Sequence, residues 1–388
     1  MQTLIPSPNR KSPGETSRSS GATVEYGRSV SAVEISVRSV HQLSPIEDSR
    51  WNEFLMRSSD ASLFHSSQWL KALRQTYGYK PVVYTTAGPE EKLQNGLVLC
   101  EVESQLTGPR LVSLPFSDYC QPLAESSEDL CRLFKSVEEQ VSKNGWRYFE
   151  VRPLTPTGIA RPKWQTSAVY LHHHIDLEPD IEALYQNLHR DSVQRKIRRA
   201  ERDGLKYAIG SAEPLLDAFY RIMVQTRRRH GVPPQPKKWF RSLVENFGEA
   251  LQIRVAFNAS EPVAAMMTIR HKDTLIYKYG GSDVRYNKMG GMHLLYWNSI
   301  QDAKRWGLRT FDLGRTDAHQ SGLATFKKRW GATESSLSYS RYSDAGDGFH
   351  SFEAAAPNWK MRTAKYVFEH TPNAVLPALG SLLYRHFG

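Results

Sequence analysis

Four ionisable side chains, Asp312, Arg315, Asp317 and His319, follow a short apolar run, and three cations, Lys327, Lys328 and Arg329, close the same segment, FDLGRTDAHQSGLATFKKRWG over residues 311–331. The apolar opening predicts a strand and the rest predicts a helix. The ionisable groups therefore fall at a strand end, where α/β proteins tend to assemble their chemistry. Carboxylate and ammonium groups there can move a proton or offset a developing negative charge.

The elements upstream must position this segment. TLIYKYGGS at 274–282 is β-branched and aromatic and predicts a strand, while GGMHLLYWNSIQDAKRW at 290–306 carries apolar residues at helical spacing. Strand, glycine-opened helix and strand make a crossover between two parallel strands. Gly290 and Gly291 at the helix start would let a phosphate approach unpaired backbone N–H groups. Tyr277 and Tyr279, two residues apart, are expected on one strand face, either lining a pocket or filling the core.

The 388 residues allow two domains and tails, and 40% hydrophobic content can build cores. Without an apolar run long enough to span a bilayer, or a signal-like N-terminus, a cytoplasmic protein is expected. Cys100, Cys120 and Cys131 lack metal-ligand or disulfide-framework spacing. Three successive imidazoles, His172, His173 and His174, cannot all face one ion from a strand, so no metal is expected. A net charge of +11 and pI near 9.4 fit acidic partners such as nucleotides, phosphorylated precursors or RNA, and equally a merely basic soluble surface.

Residues 1–32 are rich in Ser, Pro, Gly and basic residues and read as a disordered tail. Residues 33–178 alternate strand and helix patterns as one α/β domain. Residues 179–345 form a second, opening with a long basic helix at 181–202 and containing the crossover. Both halves run helices, a strand meander, a helix and further strands, an order that suggests duplication of one fold. Residues 346–388 are a linker and a C-terminal helical segment, amphipathic and basic enough to rest on a membrane surface or pack on the second domain.

Taken together, SLPF at 113–116, RDSVQRKIRRAERDGL, FYRIMVQTRRRHGVP, EPVAAMMTI, YKYGGS, FDLGRT and GLATFKKRWGA resemble the FemAB-like acyltransferases, particularly those with a BioF-type acetyltransferase domain. The resemblance spans about 33–342. It implies two tandem GNAT-like domains with mixed sheets, the acyl donor in the second and the acceptor between them. It also implies an N-acyltransferase active on an amino group of a cell-envelope, peptidoglycan or polysaccharide precursor. No permanently bound cofactor is implied; acyl-CoA or aminoacyl-tRNA serves as co-substrate, acyl-CoA being preferred. Two departures stand out: no long helical hairpin interrupts the second domain, and Ala72 occupies the place of a family lysine, with Lys71 and Arg74 nearby.

Under this reading Asp312 accepts or orients the amine proton, or only pairs with Arg315. Lys327, matching the family's FK-x-x-[FW]-G lysine, stabilises the oxyanion or holds donor phosphates. Tyr277, Tyr279, Gly290, Gly291 and Lys328 face the donor, and Arg229 and Arg315 the acceptor. The basic helix with Arg195, Lys196, Arg198, Arg199 and Arg202 either grips tRNA phosphates or is solvated surface. A peripheral contact at the inner membrane face through the C-terminal segment is left open. The competing classes are an inactive GNAT-like protein binding RNA or another polyanion, and a scaffold for envelope assembly.

Overall fold

The computed structural model describes residues 39–158, 163–344 and 359–387. The expected N-terminal tail and most of the linker after residue 345 lie outside them. The first half runs β1 (His41–Leu43), α1 (Ser49–Arg57), α2 (Ser67–Tyr77), β2 (Lys80–Thr85), β3 (Leu97–Val102), β4 (Arg110–Ser113), α3 (Ser127–Asn144), β5 (Phe149–Val151) and β6 (Trp164–Asp176). After α4 (Ile181–Gln186) and α5 (Arg195–Arg202), the second half repeats the order. It has β7 (Lys206–Gly210), α6 (Glu213–Arg229), α7 (Lys237–Phe247), β8 (Leu251–Asn258), β9 (Glu261–His271), β10 (Thr274–Ser282), α8 (Gly291–Arg305), β11 (Thr310–Asp317), α9 (Ser321–Lys328) and β12 (Thr333–Tyr342). Two helices, α10 (Trp359–His370) and α11 (Leu376–Leu383), follow.

All twelve strands form one sheet, in the order β1-β2-β3-β4-β5-β12-β6-β11-β10-β9-β8-β7. The order is a palindrome. Each half contributes an antiparallel meander ending in a parallel pair, β4 with β5 and β10 with β11, bridged by the crossover helices α3 and α8. At the centre the last strands change places: β12 pairs with β5, β6 with β11, and the two pair with each other. This exchange carries residues of the first half directly against β11.

Strand alternation sorts the core into two layers. Along β3, Val98, Cys100 and Val102 face a core shared by both halves, while Leu97 and Leu99 face the layer under α3. In the shared core α2 meets α7, with Trp69 edge-on to Trp239 at 5.1 Å between ring centres. Both ends of α2 are fixed locally: Ser66 Oγ accepts from Trp69 N, and Gly78 at φ 76° supplies the left-handed stop.

The expected single helix over 181–202 is interrupted. Between α4 and α5 the chain makes a wide turn over Arg190–Gln194, capped by the His189 side chain, and His189 N donates to Arg329 O at 2.9 Å. The tertiary hydrogen bond to the end of α9 overrides local helix propensity. The C-terminal segment packs on both halves rather than on the second alone. A β-carbon on Gly380 would stand 1.9 Å from Pro234 O, and Tyr79 Oη and Arg110 Nη2 donate to the carbonyls of Arg385 and His386.

Candidate active site

β10 and β11 are hydrogen-bonded in register only from Thr274 opposite Thr310 to Ile276 opposite Asp312. They then part. β10 stays with β9 through a bulge between Tyr277 and Tyr279, and β11 stays with β6 through an irregularity between Asp312 and Arg315. Gly314, at φ 69°, takes the turn that β11 makes there. The divergence is occupied from the first half: a β-carbon on Gly314 would meet Asp118 Oδ2 at 2.8 Å.

Asp118 is held by Lys278, whose Nζ donates to Oδ1 at 3.0 Å, while Tyr339 Oη donates to its backbone carbonyl. Lys278 itself lies over the rings of Phe64, Trp69 and Tyr279. Burial draws its ammonium down, against the pull of Asp118. Arg315 lies 4.3 Å over the Tyr170 ring and donates to Tyr339 Oη.

Asp312 is 2% exposed and has both carboxylate oxygens engaged. His172 Nε2 donates to Oδ1 at 2.9 Å, Gly314 N to the same oxygen at 2.7 Å, and Tyr119 Oη to Oδ2 at 2.7 Å. Burial alone would raise its pKa, but His172 and these hydrogen bonds hold it at about 2. A carboxyl depressed in the folded state stabilises the fold above its unfolded range and loses that contribution as pH falls. From 3.8 down to about 2, Asp312 should forfeit roughly 2 kcal/mol; urea titrations of Asp312→Asn against the parent across this window should show the parent losing stability more steeply.

His172 is pushed down by burial, yet the Asp312 carboxylate outweighs this and lifts it above its ordinary range. Lys327, on α9, is 1% exposed, and its Nζ donates to the carbonyls of Gly314 at 2.8 Å and Arg315 at 3.1 Å. Burial brings its pKa to about 8, with Asp118 and Asp312 opposing.

The fold thus gathers Asp312, Arg315 and Lys327 and adds four groups that sequence reading missed: Asp118, Tyr119, His172 and Lys278. The signals are in the sequence: Asp118 and Tyr119 follow SLPF after a single serine, and the histidine run reads there only as a metal site. Among the described residues no group of three or more His, Cys, Asp or Glu is placed to hold a metal. Lys328 faces outward, 2.9 Å from Glu334, on an open groove of about 310 Å³ lined also by Asn187, His189, Thr325 and Arg329. Arg229 lies toward the other end of β10, donating to Ser282 O.

Two expectations need correction. Tyr277 and Tyr279 do not share a face, because the bulge between them shifts the alternation; Tyr279 joins the shared core and Tyr277 packs beneath α8 against Tyr296. Nor do Gly290 and Gly291 hold open a space. A β-carbon on Gly290 would lie 2.5 Å from Lys196 O, and one on Gly291 would lie 3.0 Å from Ala264 Cβ, so α5 and β9 fill it. Gly291→Val is therefore expected to destabilise the fold by about 1–3 kcal/mol through overpacking. Denaturant unfolding with no shift of midpoint would contradict this.

A model of the acetyltransferase (GNAT) domain family matches residues 187–328. The UDP-N-acetylmuramoylpentapeptide-lysine N(6)-alanyltransferase of Weissella viridescens is 25% identical over 148 residues, covering 36% of this chain and 43% of the relative. The matched region is less than half of that relative's length. Among solved structures, FemX superposes with a TM-score of 0.59 at 12% identity, over 77% of this chain and 96% of FemX. The C-terminal domain of a putative lysylphosphatidylglycerol synthetase from Agrobacterium fabrum gives 0.51 at 13% identity, over 76% of this chain and 92% of that one. Residues 187–328 thus match a GNAT acetyltransferase domain, and the chain shares the fold of FemX.

Proposed function

We propose that this protein is an N-acyltransferase that moves an acyl or aminoacyl group from acyl-CoA or aminoacyl-tRNA to an amino group of a cell-envelope precursor. The observation that carries the reading is Lys327, a buried ammonium at the divergence of β10 and β11 inside the GNAT domain. Among the described residues, two of its three N–H groups are given to the carbonyls of Gly314 and Arg315, which leaves one for an oxyanion forming beside it. Asp312, with both oxygens bonded, suits orientation better than proton transfer.

On this reading residues 179–345 form the donor side, with Tyr277, Lys328 and the basic groove beside Lys328 meeting the donor. Residues 33–178 form the acceptor side, with Arg229 and Arg315 facing an acidic acceptor. The outward positions of α5, Arg195, Arg198, Arg199 and Arg202, are exposed while Ile197 and Ala200 are buried, a surface compatible with tRNA as donor.

The test is direct. The full chain is incubated with acetyl-CoA or alanyl-tRNA and with UDP-N-acetylmuramoyl-pentapeptide containing lysine, and the products are weighed by mass spectrometry. An amide on the lysine amine, with release of CoA or tRNA, is expected with one donor. Absence of transfer from both, with salt-sensitive binding of arbitrary RNA, would point instead to a polyanion-binding protein without chemistry.

A further inference from the structure

We infer that His172 is the general base that takes the proton from the attacking amine, with Asp312 as the residue that positions it. This deepens the acyltransferase reading and rests on it. Among the groups at the seam that could take a proton, Asp312 is ill suited. Its Oδ1 receives His172 Nε2 and Gly314 N, and its Oδ2 receives Tyr119 Oη. A carboxylate saturated in this way fixes a ring rather than accepting a proton.

The imidazole is left with one free nitrogen. With Nε2–H given to Asp312, the neutral ring presents the Nδ1 lone pair. Nδ1 of His172 has no hydrogen-bond partner among the described residues, and its side chain keeps 7% of its surface exposed, whereas the His173 side chain, whose Nδ1 is also unpartnered, keeps none. The Tyr119 ring stands edge-on to His172 at 5.3 Å and completes the clamp. An anion fixing the ring from one side, with an unpaired lone pair on the other, is the arrangement that makes histidine a base.

The step balances. The neutral amine forms the C–N bond at the acyl carbonyl, and His172 Nδ1 takes one N–H proton as the ammonium develops. The carbonyl oxygen carries the charge toward Lys327. Collapse breaks the bond to the CoA sulfur or the tRNA ribose oxygen, and the imidazolium returns its proton to that leaving group.

The ionisable groups around the ring are Asp312 on β11, Asp118 and Tyr119 from the loop after β4, His174 on β6 and Lys327 on α9. Of these, Asp312 and Asp118 favour the imidazolium and Lys327 opposes it, so the rate should rise with pH as His172 loses its proton.

Two measurements on the full chain test this. Nitrogen NMR of histidine-labelled protein should show neutral His172 protonated on Nε2 and bare on Nδ1; a proton on Nδ1 overturns the assignment whatever the substrate. Kinetics with alanyl-tRNA or acetyl-CoA and the lysine pentapeptide should show folded His172→Gln losing on the order of 10² in kcat, with KM little changed and the acidic limb of the pH profile abolished. Asp312→Asn should move that limb to lower pH, which a purely structural role would not do, and it serves alone if His172→Gln does not fold. Parent-like rates in His172→Gln, or an unmoved limb in Asp312→Asn, reject the base while leaving acyl transfer standing. A parent inactive with both donors removes the underlying reading and this inference with it.

Discussion

Lys327→Ala should lower the rate of acyl transfer by a factor on the order of 10² or more while leaving KM within a few-fold of the parent. The ammonium is anchored by two backbone carbonyls and cannot follow a ligand, so its remaining N–H is fixed in space before the substrate arrives. A donor already in place gains most when charge appears on the acyl oxygen, which is why the effect should fall on kcat. The pH profile supplies a second readout. Burial sets the Lys327 pKa at about 8, so the parent should lose rate as pH rises through about 8 and the cation is discharged. Lys327→Arg, charged throughout, should lack that limb even if its larger head costs rate. Donor affinity reduced with turnover intact would make Lys327 a phosphate anchor instead.

The parts of this site that could be read in the sequence are those contiguous along the chain. The crossover from β10 through α8 to β11 shows itself by period and by its glycines, and Asp312, Arg315 and Lys327 fall within one segment. The parts that could not be read depend on strand exchange. His172 and Tyr119 stand 140 and 193 residues from Asp312 and reach it only because β6 lies beside β11 and the loop after β4 faces the same seam. No local period encodes such a neighbour. The bulge at Tyr277 and Tyr279 is hidden for a related reason: an inserted residue is a property of the β9–β10 pair, whereas alternation is counted on a single strand. Gly290 and Gly291 illustrate the ambiguity of glycine, which admits a ligand or a neighbouring backbone equally well. Here Lys196 and Ala264 decide it.

Asp118→Ala should destabilise the fold by about 3–5 kcal/mol, among the largest single losses expected, because it strands the Lys278 ammonium. The Lys278 side chain is only 4% exposed and Asp118 only 14%, so solvent cannot replace the lost partner. Three aromatic rings surround the ammonium and offset part of the cost of burying it, but none is an anion. The pH response has a definite sign. A lysine whose folded pKa lies below its unfolded value penalises folding in its charged form, and the penalty eases as pH rises through the folded pKa toward the unfolded one. Burial already draws Lys278 down, and removing Asp118 takes away the opposing carboxylate, so Asp118→Ala should regain stability at alkaline pH relative to the parent. Lys278→Met in the same background should restore much of the loss at neutral pH, making the pair strongly non-additive. Urea unfolding of the parent, both single variants and the double variant at neutral and alkaline pH measures all of this. Additive losses, or an Asp118→Ala deficit that does not change with pH, would mean that Asp118 acts on the divergence of β10 and β11 through Gly314 and Arg315 rather than through Lys278.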